Sequence, residues 1–173
     1  MEIVSYLDSM FQVSKMFRIG HSRDIHRLDY NNRPLIIGGV SFNFEKGPVS
    51  HSDGDVLYHA VAECILGALC LGDLGTHFPD NDNTYLNFDS KNIVLSVIGM
   101  MKNKGYKIVN IDCNIILEKP KLKDSILKMR ENLAVLLDTD IDNVSIKAQT
   151  NEKCGEVGRG EAIEATSIVL ISR

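Results

Sequence analysis

Three groupings of side chains in this 173-residue sequence have chemistry to offer. The first is Asp24-Ile25-His26. In an extended segment, residues two apart point the same way, so Asp24 and His26 can reach one ion together. The second is Asp55, His59 and Glu63. Spaced by four, they lie along one face of a helix whose other faces are apolar. A solvated stripe is the ordinary reading of such a face, yet this helix carries no Lys or Arg. A negative stripe with a central His suits a cation or a polyhydroxylated ligand. Together with Asp24 and His26, His59 would supply two imidazole nitrogens and one carboxylate. That is a three-ligand zinc set with the fourth position open, the catalytic rather than the structural pattern.

The third grouping is a set of polar loops. Gly72-Asp73-Leu74-Gly75 follows the helix. Its glycines alone explain a helix stop, while Asp73 and the backbone amides can also clamp a ligand. Lys119, Lys121 and Lys123 sit between a strand and a helix N-terminus, where backbone amides attract anions. Lys147–Glu161 mixes Thr150, Asn151, Glu152, Lys153 and Arg159 with glycines, donors that suit phosphate. There is no GxxxxGK[ST] loop, no GxSxG elbow and no catalytic-cysteine signature. The chemistry on offer is therefore metal plus phosphate, without a protein nucleophile.

These residues need a framework. Phe17–His21 begins a strand, and Leu35–Phe44 reads as another, with Gly38-Gly39 suggesting a bulge or a close backbone approach. Ser52 or Asp53 is placed to cap a helix to about Cys70, with Gly72 and Gly75 ending it. Thr76–Asn87 reads as a loop. Asp89 or Ser90 caps a second helix to about Lys104. Ile108–Glu118 alternates as a strand, with Val109, Ile111, Cys113, Ile115 and Leu117 on one face. A third helix covers about Lys123–Leu137. Val144–Ala148 and Ala162–Ile171 are strands. This order predicts an α+β fold, a single domain with helices packed on a mixed β-sheet. Residues 16–173 form that domain, and 1–15 are an N-terminal extension.

Composition removes other classes. Acidic residues outnumber basic ones, 23 to 19, for a formal net charge of −4. A general nucleic-acid binder needs a basic face, so nucleic acid is not an expected partner. Trp is absent and aromatics are 6%, too few for a base-stacking platform. No apolar run is long enough to span a bilayer, so no membrane association is expected. Cys64, Cys70, Cys113 and Cys154 form no CxxC pair and read as buried small hydrophobes in a reducing compartment.

Ordered blocks along the chain carry a family resemblance. They are RIGHSRDIH at 18–26, IIGGV at 36–40, EKGPVSHSDGDVLYHA at 45–60, LGDLGTHFPD at 71–80 and KAQTNEKCGEVGRGE at 147–161. With them the chain resembles the 2-C-methyl-D-erythritol 2,4-cyclodiphosphate synthases of the methylerythritol phosphate route to isoprenoids. The resemblance implies a lyase that cyclises 4-diphosphocytidyl-2-C-methyl-D-erythritol 2-phosphate and releases CMP. It implies a homotrimer with active sites between subunits, in bacterial cytoplasm or plastid stroma.

The resemblance also implies residue roles. Zinc falls to Asp24, His26 and His59, and a second divalent cation, Mg2+ or Mn2+, to Glu152. His51 and Thr150 stabilise the transition state. Ser52 lies over the substrate phosphates. Glu63, Asp73, Leu74 and Gly75 hold the ribose or erythritol part. Phe78, Pro79, Asp80, Asn81 and Asp82 belong to a substrate loop. Leu117, Glu118, Lys119, Pro120, Lys121, Leu122 and Lys123 form the cytosine pocket, largely through backbone groups. Gln149 and Asn151 approach the diphosphate, and Arg159 binds phosphate. Glu63 stands where many members carry Asp, and Gln149 and Asn151 where hydroxyl residues are common.

Overall fold

The alternating apolar residues of Ala162–Ser172 make the middle strand of a five-stranded sheet. The computed structural model describes residues 15–79 and 88–173. Its strands are β1 (Phe17–Asp29), β2 (Leu35–Ile37), β3 (Val40–Phe42), β4 (Gly47–Pro48), β5 (Lys107–Ile116), β6 (Val144–Gln149) and β7 (Ala162–Ser172). Its α-helices are α1 (Val56–Leu69), α2 (Leu74–His77), α3 (Ser90–Asn103), α4 (Ile126–Leu137) and α5 (Gly155–Gly158). The sheet order is β4-β1-β7-β5-β6. β5 and β6 are parallel, joined by the α4 crossover, and the other pairs are antiparallel. The sheet is mixed with helices packed on it, as the element order predicts.

α1 is the centre of the core. Eleven of its fourteen residues are buried, and only His59, Glu63 and Gly67 are not. A helix apolar nearly all round must be covered on most sides. β1 and β7 lie beneath it and α3 beside it. The contact with β1 is unusually close. A Cβ on Gly20 would sit 1.8 Å from the Cys64 carbonyl oxygen, and Ser22 Oγ donates to the Ala60 carbonyl at 2.5 Å. The small residues at 20 and 22 let helix and strand meet almost backbone to backbone.

Several local expectations change. Leu35–Phe44 is a hairpin, β2 with β3, rather than one strand. Gly38 and Gly39 form its turn with φ of 58° and 70°, the two positive values that a tight primed hairpin turn requires. The cap of α1 is Asp55, not Ser52 or Asp53. Asp55 therefore leaves the exposed acidic stripe and is fully buried. Its carboxylate accepts N–H groups from Leu57 and Tyr58 and also from Gly38 and Gly39. It ties the hairpin turn to the helix start. Burial pushes its carboxyl up to about 6, against the pull of these donors.

α1 ends at Leu69 on Cys70 in the left-handed conformation, and Gly75 lies inside α2. In β5 a register shift between Ile108 and Asn110 puts Ile108, rather than Val109, into the core. Cys64 and Cys113 are buried, but Cys70 and Cys154 are exposed. The loop expected at Thr76–Asn87 begins inside α2, and 80–87 lies outside the described residues.

Gly20→Ala should destabilise the protein by about 3 kcal/mol or more, because the clash is with backbone that cannot rotate away. Gly99→Ala, inside α3 with nothing within 4 Å of the added carbon, should instead gain about 0.5–1 kcal/mol. Urea unfolding midpoints of the two variants check the contrast. Asp55→Ala strands the buried N–H donors of Gly38, Leu57 and Tyr58 and the part-buried one of Gly39 and should lose about 2–4 kcal/mol in the same measurement.

Candidate metal centre and adjoining cavities

Period-two alternation on β1 puts Gly20, Ser22, Asp24 and His26 on the face that α1 covers. His59 closes the first turn of α1, one residue before the carbonyl that Ser22 grips. Asp24 Oδ2 lies 3.0 Å from His26 Nε2 and 3.2 Å from His59 Nδ1. The two ring nitrogens are 3.0 Å apart. Tetrahedral zinc at its usual bond lengths holds ligand atoms about 3.4 Å from one another. Three nitrogen and oxygen ligand atoms already converge to within a few tenths of that spacing, so the donor set fits such an ion. Among the described residues this is the group of His, Cys, Asp and Glu that can hold a metal ion.

The electrostatics agree. Burial raises the Asp24 carboxyl, but hydrogen bonds from His26 and His59 outweigh it and hold the group well below the usual carboxylate range. Cys64 is not among the converging ligand atoms, and burial pushes its thiol well above the ordinary value. Burial likewise pushes Cys113 up to about 12.

A cavity of about 310 Å³ adjoins the trio. Its polar wall is His26, Ser50, His51, Ser52 and His59, and its apolar wall is Leu74, Phe78, Phe88 and Ile93. Ser52 Oγ lies 3.0 Å from His59 Nε2. Arg33 holds this loop from below by donating to the carbonyls of Ser50 and Ser52. Beside the cavity, Glu63 accepts the Leu74 N–H at 2.8 Å. Asp73 caps α2 by accepting from the Thr76 N–H and hydroxyl. The Thr76 hydroxyl and amide lower the Asp73 carboxyl. Gly75 lies in α2 and Pro79 follows it, whereas Asp80, Asn81 and Asp82 lie outside the described residues.

A second cavity, of about 430 Å³, opens between the end of β6 and the start of α4. It is lined by Leu117, Pro120, Lys121, Leu122, Lys123, Ile126, Ala148, Gln149 and Thr150. Leu117 and Leu122 make a buried apolar floor. Glu118 and Lys119 do not line it. Glu118 instead accepts the N–H groups of Asn151 and Lys153. That grip holds the tight turn in which Glu152 and Lys153 have φ of 49° and 63°. The Thr150 hydroxyl donates to Glu152 at 2.7 Å. Asn151 donates to the Cys154 carbonyl.

The structure thus brings Asp24, His26, His59, His51 and Ser52 together, with Leu74 and Phe78 on the same cavity. It brings Gln149 and Thr150 together with the 117–123 segment. Glu152 is not part of the metal trio, and Arg159 is paired with Glu161 at 2.8 Å and lines neither cavity. Sequence reasoning missed the roles of Arg33, Phe88 and Ile93, and it read Asp53 and Ser90 only as helix caps. Asp53 in fact accepts from the Ser90 hydroxyl and backbone N–H, and Ser90 Oγ is 2.8 Å from His59 Nε2. Spacing could not find that pair, because 37 residues separate Asp53 from Ser90.

Comparison with known proteins shows what the chain is similar to. The chain is 48% identical over 158 residues to the 2-C-methyl-D-erythritol 2,4-cyclodiphosphate synthase of Geobacillus sp. (strain WCH70), covering 91% of this chain and 99% of that protein. It is 49% identical over 156 residues to the synthase of the same name from Chloroherpeton thalassium, covering 90% and 99%. The solved CDP complex of IspF from Plasmodium falciparum superposes with a TM-score of 0.79 at 34% identity, covering 90% of this chain and 95% of that one. The YgbB family model matches residues 17–172. The chain belongs to the YgbB family.

Proposed function

We propose that this chain is a 2-C-methyl-D-erythritol 2,4-cyclodiphosphate synthase. The observation that carries the reading is the convergence of Asp24, His26 and His59 beside a cavity walled by His51 and Ser52. It occurs in a chain nearly half identical, over nine tenths of its length, to proteins of that name. On this reading residues 16–173 make the synthase domain and 1–15 an N-terminal extension. The setting that fits is a bacterial cytoplasm or plastid stroma.

The reaction is internal to one substrate molecule. An oxygen of the 2-phosphate bonds to the β-phosphorus, the bond from that phosphorus to the bridging oxygen breaks, and CMP leaves with the bridging oxygen. The attacking group belongs to the substrate, so the absence of a protein nucleophile is no obstacle. Zinc at Asp24, His26 and His59, with Mg2+ or Mn2+ at Glu152, would neutralise phosphate charge that the protein's own side chains do not balance. The chain's task is to hold both ends of the substrate at attack distance, which is worth effective molarities of about 10^5 M or more.

The two cavities divide that task. The apolar floor at Leu117 and Leu122, with backbone groups of 117–123, suits a flat neutral base such as cytosine. Ser52 and His51 face the phosphates. Leu74, Phe78, Phe88 and Ile93 exclude water that would otherwise hydrolyse the diphosphate. Gln149, Asn151 and Thr150 steady the diphosphate, Glu63, Asp73 and Gly75 the polyol, and Arg159 a phosphate. Substrate contact extends past Phe78 to Pro79, Asp80, Asn81 and Asp82.

A homotrimer would complete each site with residues of a neighbouring copy. The face of the sheet away from α1 supports this. Ile19 and Phe17 are exposed there, with Ile168, and among the described residues Asp112 Oδ1 and Asn114 Oδ1 are buried on that face without a hydrogen-bond donor. A second copy laid against this face would cover both the apolar and the orphaned polar groups.

Purified protein given the diphosphocytidyl substrate with zinc and magnesium should release CMP and yield a cyclic diphosphate by phosphorus NMR. His59→Ala should slow release at least about 100-fold. A linear product would mean a phosphohydrolase, binding without release a non-catalytic sensor, and parental turnover by the variant a misplaced metal site. Light scattering should report about three times the 19.3 kDa chain mass. Ile168→Asp should shift that mass toward the monomer, and an active monomer would contradict the shared site.

A further inference from the structure

The imidazole of His59 has two nitrogens, and only one arrangement of its proton leaves Nδ1 free to ligate. Nδ1 faces Asp24 and His26. Nε2 faces Ser90 Oγ at 2.8 Å and Ser52 Oγ at 3.0 Å. Ser90 is fully buried. Its hydroxyl also makes a short contact with Asp53 Oδ1.

The direction of these bonds follows from Asp53. Its Oδ1 accepts the Asp55 N–H and its Oδ2 accepts the Ser90 N–H, so both oxygens act as acceptors. The Ser90 proton therefore goes to Asp53, and Ser90 Oγ can only accept from His59. That places the remaining imidazole proton on Nε2 and a lone pair on Nδ1, toward the converging ligand atoms. Second partners of this kind orient a ligating His and raise its basicity.

We infer that Asp53 and Ser90 are positioning residues that set the His59 tautomer for metal binding. The inference rests on reading Asp24, His26 and His59 as a metal site. Neither residue touches the ion or the substrate cavity. Both are also built into the fold, since Asp53 N–H donates to the Phe88 carbonyl at 3.0 Å and Ser90 opens α3. The chain therefore links the 51–55 loop, the start of α3 and the metal ligand of α1 through one pair of side chains.

Asp53→Asn tests direction as well as presence. An amide at this position can donate to Ser90 Oγ, turn the hydroxyl toward His59 Nε2 and force the proton onto Nδ1. Ser90→Ala removes the link without reversing it, leaving Ser52 as the partner of Nε2. Zinc affinity is read by competition with a chelating dye, and the tautomer by long-range nitrogen–proton NMR of the metal-free protein. The wild type should bind zinc and show the Nε2–H form of His59. Both variants should bind zinc about 10–100-fold more weakly, Asp53→Asn more so than Ser90→Ala, and Asp53→Asn should shift His59 toward Nδ1–H.

Wild-type protein that takes up no zinc would overturn the metal assignment beneath the inference. Zinc bound equally by wild type and both variants would overturn the inference alone. So would an Nδ1–H tautomer in the wild type, a measurement that needs no substitution and stands even where a variant fails to fold. A lowered unfolding midpoint with unchanged zinc affinity would reduce Asp53 and Ser90 to a structural link and likewise overturn it.

Discussion

Everything at the candidate site depends on how closely α1 lies on β1. The missing side chain of Gly20 and the hydroxyl of Ser22 let the helix backbone approach the strand. Asp24 and His26 continue along β1 with the same parity, and His59 precedes Ala60, whose carbonyl Ser22 holds. The contact that packs the core therefore also sets the distances among the three candidate ligands. A larger residue at position 20 would move the helix by more than an ångström, a displacement comparable to the tolerance of a metal site.

The loop before α1 concentrates three further jobs in short polar side chains. Ser52 faces the cavity and His59, Asp53 reaches across to α3, and Asp55 caps α1 and gathers the hairpin turn. Gly54 between them takes φ of 78°, which lets successive side chains point to different elements. None of these roles can be exchanged with its neighbour, although in the sequence Ser52 and Asp53 look like interchangeable helix caps and Asp55 like part of a polar helical stripe.

That difference marks how far the sequence was legible. The helix of 56–69, the alternation of β5 and β7 and the mixed sheet follow from apolar periodicity, which is a local property. The metal trio was legible because Asp24 and His26 share strand parity and His59 sits on the one polar stripe of an apolar helix. The α1 cap, the Gly38-Gly39 hairpin and the Asp53–Ser90 pair were not, because each depends on a partner that only tertiary packing supplies. The same holds for Val109. Period two places it inside, but a bulge against β7 hands its place to Ile108.

The sheet also arranges how charge is handled. Asp24, Ala165, Ile115 and Ala148 are direct partners in one row across β1, β7, β5 and β6. Direct partners face the same side, and three strand spacings separate the ends by about 14 Å. One end of the row holds a carboxylate and two imidazoles; the other ends in a cavity with an apolar floor and lysines at its rim. A chain with a net charge of −4 would ordinarily repel a polyphosphate. Among the described residues, no Lys or Arg lines the cavity beside the trio. A cation held by Asp24, His26 and His59, which are placed to hold one, would supply compensating charge to an anion bound there. The acidic composition, which argues against nucleic acid, is compatible with a small anionic ligand whose charge such a cation would offset.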